Sequence, residues 1–354
     1  MSTPGNLLIH AAAFVDSGRG LVMTGLSLLV RDGRIAEIGS NIRASKHTEV
    51  LDYRNSAISP PFCDFHLHFF RHAPERSDEI GSALLSHGIA TVFEGGSPGE
   101  TGLKMKDLLR KSTDVRTSGQ AIYRQGTYGK SIGRGVADMN EARELIGSLA
   151  REGVDYIKVV NSGILDPATG EITGGGFSRE ELSHIVSSAR EHGLPVYCHA
   201  NGDTAIADAV LSGVSAVVHG FSASRETLRL MKEKGSVLIP TLYAFSSLLP
   251  RFPDTETGRR MSASVASHLR TVGLAAEIGV TILPGSDAGT SSIPYGESYA
   301  GELGLLEQAG VPRERLLLSS VNGPIRQHSP ATFIVLDGLT VKAVFLNGRQ
   351  AHIS

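Results

Sequence analysis

The alternation of apolar and polar residues changes character twice along the chain. Residues 1–56 carry short β-type runs at Asn6–His10, Leu21–Arg31, Arg34–Ile38 and Glu49–Tyr53. Asp-Ser-Gly, Asp-Gly and Gly-Ser turn signals separate them, and Arg31-Asp32-Gly33-Arg34 reads as a tight hairpin. From about 57 to 326, short apolar runs alternate with helix-period stretches, the pattern of repeated βα units around a parallel sheet. The predicted strands are 57–69, 90–95, 119–126, 155–161, 195–200, 215–219, 236–242 and 280–287. The predicted helices between them are Ser77–His87, Asn140–Glu152, Ser178–His192, Thr204–Leu211, Ser224–Lys234, Arg260–Ile278 and Ser298–Ala309. A glycine follows each at 88, 153, 193, 213, 235, 279 or 310, where a helix would be capped before the next buried strand. After 327 the β style returns, with Thr332–Leu336 and Leu339–Leu346 broken by Asp337-Gly338 and closed by Asn347-Gly348.

Eight strands with helices between them, over roughly 270 residues, have the size of a (β/α)8 barrel of the TIM type. The expected fold is therefore α/β. A catalytic barrel spans 57–326, and 1–56 plus 327–354 form a small β-sandwich domain built from both termini. A doubly wound open sheet is the alternative, weakened because no Gly-X-Gly-X-X-Gly follows the first strand. In a barrel, the long loops Gly95–Gly102, Gly126–Gly135, Asn161–Phe177 and Ala288–Glu297 would lie on the C-terminal, catalytic face.

Charge narrows the partners. Lysines and arginines number 34 against 36 acids, a formal charge of -2. That balance argues against nucleic acid or an anionic membrane and for a small-molecule substrate. A homo-oligomer stays open. Cys63 and Cys198 sit in apolar strand segments and read as buried thiols, consistent with the cytoplasm. No targeting segment is evident, and no apolar run approaches the ~18 residues of a membrane span.

The chemistry gathers at strand ends. His66 and His68 are two residues apart on one strand, so both imidazoles point to one face, as a metal site needs. Lys158 lies inside the apolar run Tyr156–Val160; His199, His219 and Asp287 end strands five, six and eight. Singly, each has an ordinary reading: a core histidine, a snorkelling lysine, a turn aspartate. Jointly they would converge if the strands close into a barrel.

These residues, in order, resemble the amidohydrolase superfamily, with the imidazolonepropionase-like and prolidase-like members nearest in texture. The matching motifs are Asp64-Phe65-His66-Leu67-His68, Tyr156-Ile157-Lys158, His199-Ala200, Val218-His219-Gly220 and Gly285-Ser286-Asp287-Ala288-Gly289. Pro60-Pro61-Phe62-Cys63 departs from the usual Pro-Gly-Leu-Ile. The resemblance implies two divalent metal ions, zinc foremost: one on His66, His68 and Asp287, the other on His199 and His219. A carbamate on Lys158, formed from CO2, would be shared between them. It also implies hydrolysis of an amide-type C–N bond by a metal-bridging hydroxide, with Asp287 as general base and acid. A lactonase or phosphotriesterase shares this ligand set. A mononuclear deaminase would need a glutamate after His199, where Asn201-Gly202-Asp203 stands. A silent scaffold would have lost ligands. For substrate contacts, Arg71, His72, Tyr128, Arg134, Asn161 and Tyr243 follow strands, and arginine or tyrosine there could hold a carboxylate.

Overall fold

The protein is described from a computed structural model covering residues 6–166, 169, 171–290, 292–321 and 323–353. The chain opens with β1 (Asn6–Asp16), β2 (Leu21–Thr24), β3 (Ser27–Arg31), β4 (Arg34–Gly39) and β5 (Thr48–Ser59). The Asp32-Gly33 turn joins β3 to β4 with both residues at positive φ, 50° and 75°, the backbone a two-residue hairpin demands.

The parallel units follow. β6 (Phe62–Leu67), α1 (Ser77–Ser86), β7 (Ile89–Glu94), α2 (Thr101–Leu109) and β8 (Asp114–Thr117) form a three-stranded parallel sheet with its helices. Next come β9 (Ala121–Arg124), β10 (Gly133–Val136), α3 (Met139–Glu152), β11 (Ile157–Val160), α4 (Arg179–Glu191), β12 (Val196–Ala200), α5 (Asp203–Leu211), β13 (Ala216–His219), α6 (Arg225–Lys234) and β14 (Val237–Ile239). Their strands make a six-stranded parallel sheet ordered β10-β9-β11-β12-β13-β14. The stretch closes with α7 (Leu242–Ser246), α8 (Glu256–Ile278), α9 (Glu297–Gln308) and α10 (Arg313–Ser319). Three strands complete the chain, β15 (Phe333–Asp337), β16 (Thr340–Leu346) and β17 (Arg349–Ile353).

Local chemistry explains these elements. Asp138 caps α3 by accepting from the N–H groups of Asn140 and Glu141. Ser178 and Glu181 form a reciprocal capping box on α4. The seven helix-ending glycines all have positive φ. Apolar faces of α3 and α4 (Leu145, Ile146, Leu149, Leu182, Ile185) pack with β11 and β12 in the largest core.

Several expectations are corrected. The predicted third strand, 119–126, contains β9, but β8 just before it was not predicted. β8 pairs with β7, whereas β9 pairs with β11, so this one stretch of chain passes from one parallel sheet to the other. Residues 280–288 form no regular strand. Pro284 lacks an N–H and Asp287 has φ 56°, so a continuous ladder fails there. What remains are single bridges, Leu238–Ile282 on one side and Leu67–Ala288 on the other. The parallel strands thus occupy two sheets rather than one uninterrupted eight-strand ring. The termini build a single eight-stranded sheet, β17-β16-β15-β5-β1-β3-β4 with β2 on β1, not two facing sheets. The reason is β5, which is longer than expected. It pairs parallel with β1 and antiparallel with β15, splicing the C-terminal strands onto the N-terminal ones. Phe333 and Phe345 stack at 4.6 Å on one face of that sheet, while Ile334 and Leu336 on the other pack with Ile80 and Leu84 of α1. No helix among the described residues is long and apolar enough to cross a membrane.

Candidate metal centre

β6 delivers His66, 1% exposed, and β6 with the residue after it sets His68 beside it, ring centroids 4.8 Å apart. Their Nε2 atoms lie 3.3 and 3.4 Å from Oδ1 of Asp287. The donor atoms of these three residues all fall within 4.8 Å of one another. Lys158 from β11, His199 from β12 and His219 from the end of β13 line the same cavity of about 260 Å³. The His199 and His219 rings are 4.6 Å apart, and His219 stands 5.6 Å from His66.

A supporting frame fixes each ring. His68 Nδ1–H donates to the Gly96 carbonyl at 2.8 Å. A carbonyl only accepts, so Nε2 keeps its lone pair for a metal. His199 Nε2–H donates to the Gly163 carbonyl at 3.0 Å, leaving Nδ1. His219 Nδ1 pairs with Thr241 Oγ1 at 2.7 Å. The Asp287 N–H donates to the His66 carbonyl at 2.7 Å. Asp64, fully buried, spans from β6 to the 285–287 segment. Its carboxylate accepts the Ser286 N–H at 2.9 Å, the Ser286 hydroxyl at 2.5 Å and the His66 N–H at 3.2 Å. Three non-glycine residues here hold left-handed backbone: Thr241 (φ 51°), Asp287 (φ 56°) and His219 (φ 71°). Such strain persists only where surroundings over-determine it, and it gathers at functional sites.

Glycines set the distance of approach. A Cβ on Gly95 would stand 2.3 Å from Cε1 of His66, and one on Gly285 2.8 Å from His66 Cβ. The His66 ring therefore fits only because both neighbours lack a side chain.

Burial dominates the electrostatics. It drives His66 down to about 3 and His199 to about 4, with Lys158 adding repulsion, so the imidazoles are neutral, as ligands must be. Burial also lowers Lys158 to about 8, against the pull of Asp287. For Asp287, burial opposes ionisation, but the adjoining His66 and His68 side chains outweigh it and hold the carboxyl well below its usual range. Burial pushes Asp64 up to about 7. Of the described buried polar atoms without a hydrogen-bond partner, two belong to this cavity, His66 Nε2 and Lys158 Nζ. Unpaired buried donors and acceptors are costly. An imidazole cluster with one carboxylate and an orphaned amine suits divalent metal ions.

The expected substrate contacts divide. Tyr128 lines the cavity and packs on His199 at 5.5 Å. Asn161 is buried, and its Oδ1 accepts the Phe177 N–H at 2.8 Å, tying down its loop rather than facing the cavity. Arg71 and His72 are exposed, and the His72 ring, 86% exposed, pairs with Glu75. Arg134 lies on β10 beside a separate groove with Arg143 and Glu191. Tyr243 donates its N–H to Glu302 and lays its ring against Gly301 of α9. Arg71, His72 and Asn161 sit outside regular elements, where no strand period sets side-chain direction, whereas Arg134 and Tyr243 lie on β10 and α7, two elements the sequence pattern did not predict. The remaining lining was not anticipated, and apart from Ser131 and Thr290 it is apolar: Phe70, Ile132, Ile164, Phe245, Met261 and Ile293 among others. The available signal was apolar residues such as Ile164-Leu165 inside a Gly/Ser-containing loop.

Known proteins share this architecture. An uncharacterised Mycobacterium tuberculosis protein is 26% identical over 308 residues, covering 83% of this chain and 79% of its own. The ochratoxinase of Aspergillus niger is 29% identical over 195 residues, 54% of this chain and 40% of its own. Its crystal structure superposes with a TM-score of 0.78 at 20% identity, over 100% of this chain and 97% of that one. A Xaa-Pro dipeptidase crystal structure with methionine in its active site reaches a TM-score of 0.83 at 20% identity, over 98% and 99% of the two chains. Residues 57–324 match the model of the amidohydrolase family, and the chain belongs to that family.

Proposed function

We propose that this chain is a metal-dependent hydrolase of an amide-type C–N bond, linear or cyclic, in a small molecule. The carrying observation is the meeting of His66, His68, Lys158, His199, His219 and Asp287 in one cavity, with His66 Nε2 and Lys158 Nζ unpaired. A dipeptidase among the structural neighbours supports the C–N class. We read the two parallel sheets plus 280–288 as one (β/α)8 barrel over 57–326, with 1–56 and 327–354 as a separate small domain.

His66, His68 and Asp287 would hold one divalent ion, His199 and His219 a second, with a carbamate on Lys158 shared between them. Zinc suits these donors. When bound, the ions polarise the scissile carbonyl and acidify water to near neutrality. Asp287 turns Oδ1 to the histidines. Its Oδ2 is left to take a proton from the attacking water and return it to the leaving nitrogen. Lys158, at about 8, is partly free amine at neutral pH, the form that adds CO2. The tight His66–His68–Asp287 grouping favours a one-ion version as the second reading. Two free, buried cysteines support a cytoplasmic setting, and near-neutral charge supports no nucleic-acid or membrane partner.

The test is zinc per chain by elemental analysis on protein grown with zinc and bicarbonate, together with turnover of N-acyl amino acids, dipeptides, cyclic amides and lactones. About two equivalents with amide hydrolysis is expected. One equivalent selects the second reading, and a folded, metal-free, inactive protein overturns both.

A further inference from the structure

The cavity above the proposed metal ligands is walled by apolar side chains from separate pieces of chain. Ile132 comes from the loop between β9 and β10, Ile164 from the loop after β11, Phe245 from α7, Met261 from α8 and Ile293 from the loop after 288. No single sequence accident accounts for such a wall. Its exposed edge is largely apolar, with Ile164 40% exposed and Tyr128, packed on His199, 37% exposed, and the hydroxyls of Ser131 and Thr290 there carry no charge. Apolar surface left open at a cavity mouth marks a recognition site. Among the described lining residues the one lysine or arginine is Lys158, 1% exposed and placed among the histidines. The arginines that could have held a carboxylate, Arg71 and Arg134, are exposed and outside the cavity. A carboxylate buried against apolar side chains with no cationic partner is disfavoured.

We infer that this site selects an uncharged substrate carrying an aryl or branched-alkyl group beside the scissile bond, and rejects substrates with a carboxylate at that position. The inference rests on the hydrolase reading above and narrows it away from free-carboxylate dipeptides and N-acyl amino acids. Size agrees. A Leu/Ile/Phe-lined cavity of about 150 Å³ accepts benzene. The space here, about 260 Å³, takes one such ring and an amide-sized group.

The experiment uses zinc-loaded protein and matched pairs: an anilide, an aryl carbamate and an aryl lactone, each with and without a ring carboxylate. The neutral member of any pair that is cleaved should have kcat/KM about 100-fold higher. Ile164→Arg, or Leu248→Arg should the first fold poorly, places a guanidinium at the rim and should narrow the gap at least about 10-fold. Equal or faster cleavage of the carboxylated member by the wild-type protein overturns the inference. If no pair is cleaved, the hydrolase reading fails separately, and ligand-observed NMR binding of the anilide pair decides. Tighter binding of the neutral member, with the gap narrowed by Ile164→Arg, upholds the selectivity; equal binding overturns it.

Discussion

Gly95→Ala is expected to disable the metal site while leaving the fold in place. The added Cβ would lie 2.3 Å from Cε1 and 2.7 Å from Nδ1 of His66, and 3.2 Å from Cε1 of His68. Ordinary contact begins near 3.4 Å, so something must move by about 1 Å. The backbone is pinned. The Gly95 N–H donates to Leu67 O at 2.8 Å and the Ser97 N–H to Gly119 O at 3.0 Å. Ser97 Oγ holds the buried Glu94 at 2.7 Å. The His66 ring must therefore yield, and its other sides face Asp287, His68 and His219. Metal–ligand distances tolerate roughly 0.2 Å, and a displacement near 1 Å costs on the order of 100-fold in rate. Overpacking should cost about 1–3 kcal/mol in stability. The assay is zinc per chain, kcat/KM and a thermal melt. Gly304→Ala is the control, since its Cβ meets nothing within 4 Å. A Gly95→Ala protein with full zinc and unchanged kcat/KM would refute the reasoning.

Other outcomes are expected. Asp287→Asn should lower kcat/KM by roughly 100- to 10,000-fold with the melting point nearly unchanged; an active variant removes Asp287 from proton transfer. Lys158→Met should lose about one metal equivalent per chain, and a folded, active, two-metal variant would dispose of the carbamate. Asp64→Ala leaves the Ser286 and His66 N–H groups unpaired and should cost about 2–4 kcal/mol. Asp64→Asn keeps an acceptor and should cost distinctly less in the same denaturation experiment. Glu302 gives a pH prediction. Burial lifts its carboxyl from 4.5 to about 8, against N–H groups of Tyr243 and Leu242 that favour ionisation. Between those values the folded state keeps a proton that the unfolded chain has lost, so stability declines as pH rises. Glu302→Gln has no such proton. From pH 5 to pH 9 its stability relative to wild type should climb by a few kcal/mol; parallel melting curves would show that Glu302 folds ionised.

What the sequence discloses and what it hides follow from the same geometry. A strand alternates its side chains with period two, so His66 and His68 could be placed on one face before any fold was known. Parallel strands begin and end together, so His199 and His219, each finishing an apolar run, could be set at one height with Lys158 a residue or two below. Asp287 met the same expectation by a different route. It lies on no regular strand but is carried by a segment bent at Pro284 and held to β6 by Asp64 through Ser286. That cross-link spans 222 positions, and no local pattern encodes it. The single terminal sheet was hidden for a similar reason. β5 is too polar along Thr48–Asn55 to advertise its length, and its partners stand at opposite ends of the chain. Loops lack any period, and the short elements β10 and α7 left no pattern to read. Arg71, Arg134 and Tyr243 had the right chemistry beside the right strands, yet exposure, a neighbouring groove and the face of α9 claimed them. Ile132, Ile164 and Phe245, with no reactive group to attract notice, turn inward instead. Residues tied to a repeating backbone can be aimed from sequence, whereas those that choose the substrate are aimed by turns that only the completed fold determines.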